Sequence, residues 1–414
     1  MKKILTLLLI VVCVSSSAQQ NYTPIIFVHG MLGSGDSWAK PVQLFRGQEY
    51  PSEYLNVMDW NSLMFGQINT SKLLDSIVDD VIAKTGAEKV NLVGHSAGGE
   101  VCSAYLKDSA YVKKVENYIH LASGKLTTDL TVRTLNLYSP DDQITGGEDI
   151  TGIENIAIPN KDHYEIATST ESFQAMFRFF NPNLTLKYPT SILPKNVSGR
   201  VISLGENKPE INATIFIFGI NPETGDRTSK SPLFTFIADE NGNWGPFLAD
   251  EETFYEFVIK PTNPNKRTVH YYREPFQTEN SLVYLRTIPQ EGMAAMLLSG
   301  IPKDKKQAAL AIFSANKAVI YGRDTLIVNG IELSSEQLSP AKKTAIAHFL
   351  YDDDKDGKTN GQPLAAFQMF PFLNGVDVFL NSKPKELIRI KFNQNTLTLK
   401  PIPSDGGVMV VVFD

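Results

Sequence analysis

Gly94-His95-Ser96-Ala97-Gly98 restricts this 414-residue chain more than any other feature. The pentapeptide follows the apolar run Val90-Asn91-Leu92-Val93 and opens a helical pattern that reaches about Leu106. Such a junction puts a serine on a sharp strand-to-helix turn, raised above the C-terminal end of a buried strand. The flanking glycines leave room for the backbone to close around it. A lone G-x-S-x-G arises often by chance; this one is informative because its neighbours supply the sheet it requires.

Short β-rich runs alternate with helical patterns from residue 22 to about 182. Pro24-Ile25-Ile26-Phe27-Val28 reads as a buried strand and residues 54–58 as a weaker one. A helix is expected over 71–85, with Leu74, Val78 and Val81 among its apolar positions. Strands at 118–121, 132–138 and 153–158 follow, then a helix over 170–180. This alternation predicts a compact α/β domain, a parallel sheet flanked by helices. After Pro194 the chain changes to short alternating segments such as Ala213-Thr214-Ile215-Phe216-Ile217-Phe218, separated by turn clusters such as Asn241-Gly242-Asn243. That pattern predicts all-β sandwich or barrel modules in the C-terminal half. Further strands are expected near 282–288, 310–328, 376–380, 387–399 and 407–413, with helical stretches near 291–298 and 335–350. The expected division is a catalytic domain over 19–195, a β-sandwich module over 196–276 and a β-rich domain over 277–414.

The N-terminus has the form of an export signal. Met1-Lys2-Lys3 precedes an apolar run over residues 4–14, and Ser15-Ser16-Ser17-Ala18 supplies small residues for cleavage. Eleven apolar residues are too few to span a bilayer core of ~30 Å. Residues 1–18 are therefore expected to be removed after Ala18, giving a secreted or periplasmic chain with no transmembrane segment. Cys13 is preceded by Val12 rather than a small residue, which argues against lipidation. Cleavage leaves Cys102 as the sole cysteine, a buried core thiol by its apolar surroundings, and rules out an intramolecular disulfide. It also removes two lysines, taking the formal charge from −6 to −8. With no basic cluster, nucleic acid is excluded as a partner.

A serine hydroxyl becomes nucleophilic only beside a base, and the base must itself be oriented by an acid. In a sheet of this type the order is Ser, acid, His, and within the α/β region only His163 meets it, after the 153–158 strand. The acid follows the 132–138 strand in Tyr138-Ser139-Pro140-Asp141-Asp142, and spacing leaves Asp141 and Asp142 both open. Backbone N–H groups must also converge on the reacting carbonyl oxygen. Ala97 supplies one at a helix N-terminus, and Met31 in His29-Gly30-Met31-Leu32-Gly33 is the natural second. The glycines of that loop lack nucleotide-binding spacing. His95 is expected to play a structural part beside the serine, and His29 to hold the oxyanion loop.

Residues 24–180 resemble the minimal α/β-hydrolases of the bacterial class 2 lipase type. The resemblance is carried by Val28-His29-Gly30, the turn at Ser96, Tyr138-Ser139-x-x-Asp142-x-Ile144 and the His163 segment. It selects Asp142 over Asp141, because the family's acid stands two before the branched residue of its D-x-I-V run. It implies carboxylic ester hydrolysis, commonly of lipids, by a Ser96–His163–Asp142 triad with no cofactor needed for catalysis. Activity should then fall as pH drops through ~6.5, where a free histidine protonates. Other acyl substrates (polyester, thioester, peptide) would use the same machinery, and an inactive, surface-binding hydrolase domain is the alternative outside enzymes. Residues 197–260 resemble a carboxypeptidase-regulatory or prealbumin-like β module through Val197-Ser198-Gly199-Arg200-Val201 and Ala238-Asp239-Glu240-Asn241-Gly242-Asn243-Trp244. The overall plan is similar to multidomain lipases whose β modules contact a lipid interface or polymer.

Two further motifs stand outside that scheme. Asp352, Asp354 and Asp356 occupy alternate positions before Gly357, as at the start of a calcium loop, with Asn360 as a further oxygen donor. Pro363 stands where an EF-hand needs its bidentate Glu, so a complete EF-hand is excluded. Residues 292–298 form an apolar, helix-like run, either a lid or a segment packed on its own β module. About ten residues separate the 118–121 and 132–138 strands, too few for a large cap. The cleft is thus open, or covered by the C-terminal half.

Overall fold

The computed structural model describes residues 22–126, 130–188 and 194–414, and the expected signal over 1–18 lies outside them. Six strands form the N-terminal sheet: β1 Ile25–Val28, β2 Leu55–Met58, β3 Val90–His95, β4 Val115–Leu121, β5 Arg133–Tyr138 and β6 Glu154–Ala157. All pair in parallel, in the order β2-β1-β3-β4-β5-β6. β1 and β3 are buried along their whole length because helices cover both faces.

Side-chain alternation divides the core in two. Ile25 and Phe27 face helices α1 (Ala39–Arg46) and α5 (Thr170–Phe180), where Phe45 and Phe173 meet edge-on at 5.1 Å. Ile26 and Val28 face α2 (Thr70–Thr85) and α3 (Ala97–Leu106), beside Leu74, Val78, Val101 and Cys102. The α2 ends follow from sequence: the Asn69 side chain accepts the Lys72 N–H at 2.9 Å, and Gly86 stops the helix at φ 70°. Among the described residues, α4 (Glu165–Thr168) is the one α-helix between α3 and α5.

The C-terminal half is built from stacked sheets. β7 (Asn196–Ser203), β10 (Asn243–Leu248) and β13 (Asn280–Thr287) form a three-stranded layer in the order β10-β7-β13. An eight-stranded layer takes in β8 (Thr214–Ile220), β9 (Phe234–Ile237), β11 (Phe254–Lys260) and β12 (Thr268–Arg273). It continues through Gly407–Phe413, Leu310–Ser314, Ala347–Tyr351 and Leu373–Asp377. A four-stranded layer that includes Leu326–Val328 and Ile388–Phe392 lies on its other face. Alternation along Gly407–Phe413 shows the stacking: Val408 and Val410 enter the core shared with Val197 and Leu285, whereas Met409 and Val411 enter the core shared with Ile390 and Leu397.

Two details depart from the expected division. The expected boundary near residue 276 is bridged, because β13 returns to pair with β7 and β12 pairs in parallel with Gly407–Phe413. The helical stretch near 335–350 is absent: Pro340 is followed by a short turn at Ala341–Lys343 and then the fully buried strand Ala347–Tyr351. Pro340 interrupts a helix there, and burial on both sheet faces outweighs the helical preference of its alanines and lysines. The helix at Gly292–Leu297 is present. Among the described residues, no helix is long and apolar enough to cross a membrane.

Candidate active site

Ser96 stands between β3 and α3 at φ 52°, ψ −126°, a backbone conformation that non-glycine residues rarely adopt. Its N–H is tied to the Leu121 carbonyl at 3.1 Å, and its carbonyl accepts from the Ser123 hydroxyl at 2.6 Å. Two glycines make the turn feasible. A Cβ on Gly98 would come within 2.2 Å of the Val28 carbonyl oxygen, and one on Gly30 within 2.8 Å of the Ser96 Cβ. The Gly30 segment thus rests directly against the serine.

His163 follows β6 and lies in the same cleft as Ser96. Its Nδ1 donates to Asp142 Oδ2 at 2.7 Å, and both side chains are almost fully buried. Asp142 also accepts from the Ile144 and Thr145 N–H groups at 2.7 and 3.2 Å and from the Thr145 hydroxyl at 2.6 Å. Burial alone would raise the Asp142 pKa, but the hydrogen bonds and charge of His163, with those of Thr145 and Ile144, hold it at about 2. With Nδ1–H committed to Asp142, the lone pair of the ring is on Nε2, which is buried and has no hydrogen-bond partner. Asp141, the other carboxylate left open by spacing, instead accepts the Asn160 N–H at 2.6 Å on the surface.

The neighbouring histidines hold this arrangement. His95 Nε2 donates to the His163 carbonyl at 2.8 Å, and burial lowers its pKa to about 3, so it stays neutral. His29 Nδ1 donates to the Gly30 carbonyl at 2.8 Å, while its Nε2 accepts the Trp60 N–H at 3.3 Å. Met31 lies in the turn closed by Gly33 N–H to Gly30 carbonyl at 3.2 Å, and the next N–H, of Leu32, is taken by the Ser62 hydroxyl at 2.7 Å. Ala97 opens α3, where an N–H has no intrahelical acceptor.

Several residues around the site come from the C-terminal half and carry no local sequence signal. Asn207, buried in a turn after β7, donates through Nδ2 to the Gly33 and Trp60 carbonyls at 2.8 and 2.9 Å. Ile346 and Phe372 close the cleft over Ser96, with Phe372 stacked against the His163 ring. Asp162, next to His163, accepts from the Ala318 N–H at 3.1 Å and from Arg323 at 2.9 Å. The cleft beside Ser96 has a volume of only about 30 Å³, but it shares Gly33, Ser37, Tyr164, Ile346 and Phe372 with a cavity of about 550 Å³. That cavity runs between the domains, and its apolar walls include Leu204, Phe313, Phe349 and Phe370. The 292–298 run contributes Met293, Ala294 and Leu297 to its lining. Among the described residues, the C-terminal half supplies the cover of the site.

The remaining predicted positions lie elsewhere. Asp352, Asp354 and Asp356 cluster in the C-terminal region. Asn360 is turned away from them, with Nδ2 donating to Asp377 at 2.9 Å and Oδ1 accepting the Gln362 N–H at 2.8 Å. Cys102 is fully buried, and burial pushes its thiol pKa up.

Parts of the chain are similar to known proteins. Residues 22–137 match the class 2 lipase family, residues 194–289 the lipase C-terminal domain, and residues 299–414 a further C-terminal domain family. Solved structures similar to the N-terminal region include a predicted CIB-like hydrolase from Thermoplasma acidophilum, at 17% identity and TM-score 0.31, covering 40% of this chain and 88% of that one. Carboxylesterase CesB from Bacillus subtilis is similar at 12% identity and TM-score 0.29, covering 40% of this chain and 86% of that one. The N-terminal unit is thus a parallel sheet flanked by helices that matches the class 2 lipase family over residues 22–137, followed by a strand-rich C-terminal region.

Proposed function

We propose that this lipase-like chain is a secreted serine hydrolase of carboxylic esters. The observation that carries the reading is the Asp142–His163 pair in one cleft with the strained Ser96, its Nε2 buried and free to accept a proton. Ser96 Oγ attacks the ester carbonyl carbon while His163 Nε2 takes its proton. The Met31 and Ala97 N–H groups stabilise the oxyanion, a contribution of ~10²–10³ in rate for each donor. Collapse of the tetrahedral intermediate returns the proton from His163 to the departing alcohol and leaves an acyl-Ser96 ester. Water, deprotonated by the same nitrogen, then releases the carboxylic acid and regenerates the serine. Asp142 keeps the imidazole in the required tautomer throughout. None of these steps needs a cofactor.

The interdomain cavity gives the substrate its character. Its volume is within the ~300–1,000 Å³ range of small-molecule sites, and its apolar walls suit the hydrocarbon part of a lipid ester. Secretion belongs to the same reading and rests on the apolar run and small residues of positions 4–18.

The test is covalent labelling of the full chain by a fluorophosphonate, with hydrolysis of p-nitrophenyl esters from acetyl to palmitoyl. Labelling and turnover are both expected and both should vanish in Ser96→Ala. Folded protein that is neither labelled nor active on any ester of the series would sink the reading.

A further inference from the structure

Asp352, Asp354 and Asp356 each bring one carboxylate oxygen within 4.8 Å of the others, and they are the only such acidic group among the described residues. Calcium holds its oxygen ligands at ~2.3–2.6 Å, so opposite ligands stand up to about 5 Å apart. The cluster therefore has the right size for one cation. Asp354 and Asp356 are exposed and by themselves would form only a solvated acidic turn.

Asp352 is different. It is 1% exposed; its Oδ2 accepts the Gly357 N–H at 2.9 Å, but its Oδ1 is buried without any partner. Behind the loop, Asp377 pairs with Tyr351 across the ladder and is 5% exposed. Its Oδ2 accepts from Asn360, and its Oδ1 is again buried without a partner. Native proteins rarely leave such oxygens unpaired, because a carboxylate stripped of water and donors is costly. Among the described residues, the ion pair within this loop joins Lys358 to Asp356 at 3.7 Å, with the Lys358 side chain largely in solvent.

We propose that the loop over residues 352–360 binds one Ca²⁺ through Asp352, Asp354 and Asp356. Gly357, at φ 74°, makes the sharp turn that brings the chain back around the ion. Asp377 supplies neighbouring negative charge where Pro363 displaces the usual final Glu. An all-oxygen donor set on an exposed loop suits calcium better than zinc or copper, and magnesium, which needs near-ideal octahedral geometry at shorter distances, is favoured less than calcium by such a loop.

The position gives the ion a structural task. The loop leaves the end of Ala347–Tyr351 and the chain returns as the parallel neighbour Leu373–Asp377. The opposite ends of these strands, about 17 Å away at ~3.3 Å per residue, carry Ile346 and Phe372 over the Ser96 cleft. Calcium clamps the strand pair from its far end and thereby steadies the cover of the cleft.

The experiment uses full-length protein stripped of metal with EDTA, titrated calorimetrically with CaCl₂ and melted with and without Ca²⁺ or Mg²⁺. One saturable site with Kd of about 10⁻⁵–10⁻³ M is expected. Excess Ca²⁺ should raise Tm by about 2–5 °C, with a smaller effect of Mg²⁺. The double variant Asp354→Asn, Asp356→Asn changes only exposed side chains, so it should fold, keep the Tm of the metal-free protein and lose the calcium shift. Absence of both heat and shift in the parent, a full shift in the double variant, or an equal response to Mg²⁺ would each overturn the proposal. None of these readouts depends on ester hydrolysis.

Discussion

Phe372 lies against the His163 ring, with centroids 5.7 Å apart and planes inclined by 21°. The two side chains come from different halves of the chain, Phe372 from just before a strand of the eight-stranded sheet and His163 from after the last strand of the parallel sheet. The contact keeps water from the imidazole face and forms part of the wall between the small cleft at Ser96 and the larger cavity. Phe372→Ala should therefore lower kcat/KM for palmitoyl esters by about tenfold or more while acetyl esters change less, and should cost up to ~3–5 kcal/mol of stability. Initial rates across the acyl series, with a denaturant melt, check both parts.

Asp142→Asn keeps the shape of the site but no longer holds His163 in the Nδ1–H tautomer. By analogy with triads in general, kcat should fall about 10³–10⁴-fold with little change in Tm. Because the Asp142 pKa is held at about 2 and that of His95 at about 3, neither group should add a proton to the acid limb of kcat/KM above pH 4. A limiting slope of two on a log plot would contradict this assignment.

Asn207 reaches from the β half into the loop around Met31. Asn207→Ala leaves the Gly33 and Trp60 carbonyls without their donor, so the loop loses its fixed position. Turnover should drop about 10- to 100-fold while fluorophosphonate labelling of Ser96 slows by a similar factor, since both need the oxyanion donors. Stopped-time labelling gels measure this directly.

Arg286 joins the domains through Asp36, with Nη2 at 2.6 and 2.7 Å from its two oxygens and at 2.6 Å from the Ser34 hydroxyl. Burial acts most strongly against the guanidinium, but Asp36 together with Tyr271 and Tyr164 offsets it and raises its pKa. Arg286→Ala strands Asp36 in the interface and should destabilise the protein by ~3–5 kcal/mol. Arg286→Met together with Asp36→Leu should recover much of that loss in urea unfolding.

Acid sensitivity should begin well above the carboxylate range. Burial lowers the pKa of His95 and His348 to about 3 and of His120 to about 4. Below the unfolded value of ~6.5 the unfolded chain takes up protons that the native protein refuses, so stability falls as pH drops toward 3–4. Each histidine contributes a slope approaching ~1.4 kcal/mol per pH unit in that window. Urea midpoints should decline from pH 7 to pH 5, and His348→Gln should flatten the decline by up to one histidine's share.

Much of the catalytic domain was legible because its signals are local. β1 announces itself by four apolar residues in a row, α2 by its spacing and caps, and the serine turn by Gly94 and Gly98 on either side of Ser96. His163 could be chosen by chain order alone. Asp142 needed the family resemblance, since Asp141 has the same spacing; in the fold Asp142 is the one paired with His163, while Asp141 accepts the Asn160 N–H. The stretch before Ala347–Tyr351 was misleading because its alanines and lysines favour helix, while its place in the sheet is set by partners at Leu310–Ser314 and Leu373–Asp377.

The sequence by itself determined the parallel sheet, the position of Ser96 on its strand-to-helix turn and the strand-rich character of the rest. Those features depend on periodicity, turn residues and order, which neighbouring positions in the chain encode. Only the tertiary structure decided that Asn207, Arg323 and Phe372 brace or cover the site, that two β segments share one sheet, and that Asp377 stands behind the acidic loop. Each of these contacts joins residues scores of positions or whole strands apart. Their pairing depends on how faces stack, which no local pattern records.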